Sequence, residues 1–71
     1  MYNVLTNLQE YYETEIKILQ QTKERKEVST LQKNYAIQRC LGASFYAQRL
    51  GADFDKIDKL YTKCKKTIDN I

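Results

Sequence analysis

The sequence of 71 residues lacks histidine, proline and tryptophan, and it has only two glycines. Without histidine, the chain has neither the commonest general base nor a frequent metal ligand. The glycine-rich loops of nucleotide-binding proteins are also missing, and Cys40 and Cys64 lie too far apart to form a CxxC motif. No pattern places a nucleophile beside a base. We therefore expect a protein that is not an enzyme and that holds no metal and no cofactor.

Long hydrophobic runs are absent as well. No stretch approaches the roughly 18 apolar residues that cross a bilayer, and the first residues lack the charged start, apolar run and cleavage site of a signal peptide. The sequence thus predicts a cytoplasmic protein without a membrane partner. Because thiols stay reduced in that compartment, we expect Cys40 and Cys64 to be two small buried thiols. A disulfide between them is the alternative.

The scarcity of residues that interrupt helices indicates an all-α fold. Hydrophobic residues make up 42% of the chain and charged residues 30%, which suits a folded protein rather than a disordered one. The length allows one small helical domain, residues 1–71, near the size at which a single core is marginal. Apolar residues recur with helical spacing. They predict a three-helix bundle with helices at about 3–22, 30–50 and 54–70.

A tight antiparallel hairpin of the last two helices is the clearest architectural prediction. Gly51 suits the position just beyond a helix end, and Asp53 suits the cap of the helix that follows. On each side of this turn, apolar residues alternate spacings of three and four and pair symmetrically about it. On two antiparallel helices, residues at equal height must be equally far along the sequence from the turn. The predicted pairs are Leu50 with Phe54, Ala47 with Ile57, Ala43 with Tyr61, Cys40 with Cys64 and Ala36 with Ile68.

The segment 20–30 breaks the apolar pattern without any proline or glycine. In one interpretation the chain turns here and a new helix starts at Ser29, which forms a capping-box pattern with Gln32. In the other, one long helix covers 3–50 and a short helix follows, and the unpartnered first half then requires a dimer. We favour the turn.

The position of this turn sets which residues of the first two helices face each other. With a turn centred near residue 25, Tyr12 would lie near Gln38, where its hydroxyl could meet the amide. Leu8 would lie over Gly42. A glycine inside a helix is best explained where another backbone passes closely, so we expect Gly42 to mark close helix packing.

Six tyrosines and two phenylalanines are more aromatic side chains than so small a chain can bury. Tyr35 and Tyr46 are three turns apart and would share one exposed stripe of the second helix. We hypothesise a non-enzymatic protein–protein interaction module, a small accessory or regulatory protein whose partner is another protein or a second copy of itself in a homodimer. The candidate protein-binding residues are Tyr11, Tyr35, Phe45 and Tyr46, and Tyr2 belongs to the same set of rings.

The charge distribution supports an alternative hypothesis. The net charge is +3, and basic side chains are concentrated in the segment 23–39, although Glu24 and Glu27 lie within it. Lysine and arginine contact phosphates, so the alternative is a small nucleic-acid-associated regulator that uses this segment. Its candidate residues are Lys23, Arg25, Lys26, Lys33 and Arg39.

Overall fold

The computed structural model describes residues 3–71, which form three helices. Each helix packs against both of the others. The three-helix bundle is therefore confirmed. The long helix over 3–50 is wrong, because residues 24–29 leave the helical conformation and reverse the chain. The helices are α1 (Val4–Lys23), α2 (Thr30–Arg49) and α3 (Phe54–Asp69).

A side-chain cap starts each helix. The Asn3 side chain accepts a hydrogen bond from a backbone N–H in the first turn of α1, at 3.1 Å. Ser29 and Gln32 form the predicted capping box, with reciprocal bonds of 3.1 and 2.9 Å. Asp53 accepts from the backbone N–H of Asp55 at 2.8 Å. These caps satisfy N–H groups that have no partner within the helix, and they fix where each helix begins.

The turn between α2 and α3 depends on Gly51. Its φ of 94° lies in the left-handed region, which glycine adopts without the clash of a Cβ. The Gly51 N–H then donates to the Gln48 carbonyl at 3.0 Å, and the Ala52 N–H donates to the Ala47 carbonyl at 3.2 Å. These bonds close the end of α2 and bring the chain back along it.

The core lies between the three helices, and the two cysteines meet inside it. The Sγ atoms of Cys40 and Cys64 are 3.8 Å apart, so these residues are level across the α2–α3 contact, as predicted. Both side chains are buried, which confirms that part of the favoured interpretation. The buried hydrophobic residues are Leu8, Tyr12, Leu19, Val28, Ala36, Cys40, Ala47, Ile57, Cys64 and Ile68.

The upper part of the α2–α3 contact departs from the predicted pairing. Leu50 and Phe54 are exposed instead of facing each other in the core. Ala43 lies against α1, and Ser44 takes the buried position on the side of Tyr61. The prediction of an Ala43–Tyr61 pair is wrong, because α2 packs against two helices at once and each contact uses a narrower stripe.

The register between α1 and α2 also differs from the prediction. Tyr12 forms its hydrogen bond with Ser44 rather than lying near Gln38, and Glu15 pairs with Arg39. These pairs are symmetric about residues 27 and 28, which lie within the segment 24–29 that links α1 to α2. The predicted centre near residue 25 is wrong because α1 continues to Lys23 and the linker follows it.

Gly42 is not a site of close packing within the chain. It is exposed, and no heavy atom lies within 4 Å of the position that a Cβ would take there. The expectation that another helix of the bundle approaches this glycine is therefore wrong. The small side chains that allow α2 to approach its neighbours are those of Ala36, Ala43 and Ala47.

Candidate protein-binding surface

The four aromatic residues predicted to bind a partner are all exposed. The exposed fraction is 39% for Tyr11, 52% for Tyr35, 57% for Phe45 and 62% for Tyr46. Tyr2 lies outside the described residues. The bundle therefore leaves much of its aromatic surface in contact with solvent, and the question is which of these rings share a surface.

Tyr11 and Tyr46 meet across a groove between α1 and α2. The groove has a volume of about 360 Å³, and Leu8 and Ala43 form part of its floor. Beyond the groove, exposed apolar and aromatic residues continue along the same side of both helices, because residues seven or eleven apart lie on one side of a helix. We call this surface the α1–α2 face. It consists of Val4, Tyr11 and Ile18 on α1 and of Tyr35, Tyr46 and Leu50 on α2.

Phe45 belongs to a different surface. Successive residues of a helix differ by about 100° around its axis, which turns Phe45 away from Tyr46. Phe45 lines a second groove, between α2 and α3, together with Leu41, Phe54 and Tyr61. This groove has a volume of about 180 Å³, half that of the first. The structure thus brings Tyr11 and Tyr46 together and separates them from Phe45.

An ion pair lies at the middle of the α1–α2 face. Arg39 donates from Nε and Nη2 to both carboxylate oxygens of Glu15, at 2.8–3.1 Å. The Glu15 side chain is 10% exposed and that of Arg39 51%. The hydrogen bonds that Arg39 donates to Glu15 raise the pKa of Arg39. Burial and the neighbouring Glu15 charge raise the pKa of the Tyr11 hydroxyl. The pair cancels its own charge, so this face stays neutral while it keeps polar groups at its centre.

The basic segment is largely engaged within the chain. Lys23 donates to the carbonyl oxygen of Ile71, and Lys33 donates to that of Asp69 at 3.4 Å. Both lysines thus interact with the end of α3, where carbonyl groups favour a positive charge. Arg39 forms an ion pair with Glu15. Of the five predicted nucleic-acid-binding residues, Arg25 and Lys26 alone remain without such a partner, both exposed in the turn after α1.

A row of lysines on α3 was not singled out by the sequence reasoning. Its members are spaced three, four and three residues apart, so they share one side of the helix. All are exposed, and over residues 3–71 the Glu15–Arg39 pair is the sole ion pair. The periodic spacing is a signal that could have identified them. The row consists of Lys56, Lys59, Lys63 and Lys66.

Comparison with known proteins gives no match to a family model, to a curated protein or to a solved structure. In the described part of the chain, no three or more histidine, cysteine, aspartate or glutamate side chains group together as metal ligands do. None of the helices α1–α3 is both long and apolar enough to cross a membrane.

Proposed function

We propose that this chain is a non-enzymatic protein-interaction module that binds a protein partner through the α1–α2 face. The observation that carries the proposal is the exposure of Tyr11, Tyr35 and Tyr46 on one neutral surface. Tyrosine is enriched in the cores of protein interfaces, where charged residues are depleted. A rigid two-helix surface presents these rings at fixed positions, so little side-chain ordering is lost on binding.

The strongest nucleophiles of the chain support a non-enzymatic role. Cys40 and Cys64 lie in the core, where the contact with the neighbouring Cys64 thiol and burial raise the pKa of Cys40. A reactive cysteine needs an accessible thiolate. Arg39 donates hydrogen bonds to both oxygens of the Glu15 carboxylate, so this carboxylate is engaged in an ion pair rather than free to act as a base.

The experiment compares two variants of matched exposure. Tyr46→Glu places a charge on the α1–α2 face, and Phe54→Glu places one in the other groove, where Phe54 is 58% exposed. Each tagged variant is used to capture proteins from the native host, with quantification by mass spectrometry. We expect Tyr46→Glu to lose a partner that the wild type and Phe54→Glu both retain. Equal capture by both variants would place binding elsewhere.

The second candidate function is nucleic-acid association, and the lysine row of α3 favours it. Four like charges along one side of a helix repel one another, and phosphates would relieve that repulsion while releasing counterions. The test titrates duplex and single-stranded DNA at low and moderate salt. Binding by this route should be steeply salt-dependent, weakened by Lys59→Gln with Lys63→Gln, and unaffected by Tyr46→Glu. Absence of binding at low salt would remove this candidate.

A further inference from the structure

Gly42 has no role within the bundle that explains its presence. It lies in the middle of α2, and its φ is in the ordinary helical range, since Gly51 alone among the described glycines has a positive φ. Space is open where its Cβ would be. Glycine destabilises a helix interior relative to alanine. The packing of the single chain therefore gives no reason for a glycine at this place.

The residues around Gly42 form an exposed ridge along α2 that is symmetric about it. Tyr35 and Arg49 lie seven residues to either side, and Gln38 and Tyr46 lie four residues to either side. All four are exposed. Each ring on one side of the glycine thus has a polar or charged side chain at the equivalent place on the other side.

These pairs of unlike side chains suit a twofold contact between two antiparallel copies of the helix. In such a contact, residue i of one copy meets residue j of the other, and residue j meets residue i in return. We infer that the partner of the α1–α2 face is a second copy of this chain, bound about a twofold axis beside Gly42. The inference rests on the function proposed above and specifies its partner.

Antiparallel α2 helices crossing at Gly42 give each tyrosine a suitable neighbour. Tyr35 lies opposite Arg49 of the second copy, and a guanidinium over an aromatic ring is an attractive contact. Tyr46 lies opposite Gln38, whose amide can bond the hydroxyl. Because Gly42 has no side chain, the two backbones can approach closely enough for these contacts.

Charge and area are both compatible with a second copy. α2 contains Lys33, Arg39 and Arg49 and no acidic residue. The first bonds a carbonyl of α3 and the second pairs with Glu15, which leaves Arg49 to be covered by Tyr35. The two 20-residue helices are about 30 Å long. The molecule as a whole extends 21 Å along its second axis, so one side of it with this length offers roughly 600 Å² per copy, at the lower end for a stable dimer.

The first test uses a variant that should improve the fold while blocking the contact. Leucine is a better helix former than glycine, and Gly42→Leu fills open space in the monomer. Sedimentation equilibrium from about 10 μM to 1 mM should show a dimer for the wild type and a dissociation constant raised at least about tenfold for Gly42→Leu. The melting temperature of the dilute variant should not fall. Equal association by both proteins would overturn the inference.

The second test examines the register. Cysteines placed at position 42 of two copies face each other across the axis, so Gly42→Cys should form a covalent dimer rapidly under mild oxidation by oxidised glutathione. Lys59→Cys, exposed on α3, is the matched control and should not. The native thiols are buried and do not compete. Equal crosslinking of the two variants would contradict the twofold arrangement.

The same samples separate this inference from the proposed function. A wild-type chain that stays monomeric throughout overturns the second copy as the partner. If Tyr46→Glu nevertheless loses a different host protein in the capture experiment, the α1–α2 face is still a binding surface with another occupant. If Tyr46→Glu loses nothing, both proposals fail.

Discussion

A hydroxyl pair in the core gives a sharp prediction about stability. Tyr12 and Ser44 are buried and bond to each other between α1 and α2. The Ser44 hydroxyl also donates to the Cys40 carbonyl at 2.7 Å. Because a serine hydroxyl has one hydrogen, Tyr12 must be the donor to Ser44 Oγ. The two side chains therefore do not contribute equally.

The direction of these two hydrogen bonds determines how much each substitution should lower the free energy of unfolding. Ser44→Ala leaves the Tyr12 hydroxyl buried without an acceptor, which should cost about 1–3 kcal/mol of the free energy of unfolding. Tyr12→Phe leaves Ser44 bonded to Cys40, and it should cost only about 0.5–1.5 kcal/mol. In the double variant no donor is stranded. Its cost should fall below the sum of the single costs by about 1 kcal/mol.

The assay is urea unfolding followed by far-ultraviolet circular dichroism for the wild type and the three variants. Equal m-values are needed for the comparison of free energies. Thr14→Ala is a control, because the Thr14 hydroxyl also bonds the carbonyl four residues earlier but is exposed. It should change stability by no more than about 0.5 kcal/mol. Additive costs, or a larger cost for Tyr12→Phe than for Ser44→Ala, would refute the assignment of donors.

Three further predictions follow from charges and thiols. Burial raises the pKa of the Tyr12 hydroxyl. The protonated hydroxyl therefore contributes stability that is present below about pH 10 and is lost as pH rises through the folded-state pKa. The urea midpoint should fall at alkaline pH, and it should fall less for Tyr12→Phe. Cys40 and Cys64 should react with iodoacetamide far more slowly in buffer than in urea, as mass spectrometry will measure, and equal rates would contradict their burial. Glu15→Gln should cost about 1 kcal/mol, limited by solvent screening of the exposed part of Arg39, and this cost should shrink in high salt.

The α2–α3 hairpin could be predicted from sequence because its turn is marked by specific residues. Gly51 and Asp53 fix where one helix ends and the next begins. The equal height of Cys40 and Cys64 on the two helices follows from this. The α1–α2 register could not be predicted as well. Ser29 marks the start of α2, but no glycine or proline marks the end of α1. An error of about three residues in the centre of the turn therefore placed Tyr12 near Gln38 instead of Ser44.

The same register decides which exposed rings form a surface. Composition alone indicated that some aromatic residues stay outside, but the meeting of Tyr11 with Tyr46 depends on how α1 lies on α2. The sequence also gave no means to predict that basic residues of the segment 23–39 form contacts within the chain. Lys23 and Lys33 interact with carbonyl groups at the end of α3, and backbone acceptors carry no sequence signal.

The two candidate functions use different parts of the bundle, which makes one last prediction possible. In a twofold dimer formed through the α1–α2 face, both lysine rows of α3 point outwards. A long single-stranded DNA that reaches both rows would bind the dimer more tightly than the monomer, because the second contact is intramolecular. Gly42→Leu leaves every lysine in place. It should nevertheless weaken binding of long DNA while leaving binding of an oligonucleotide that spans one row unchanged, as fluorescence anisotropy will measure. If both DNA lengths respond alike, the rows act independently and the dimer has no part in nucleic-acid association.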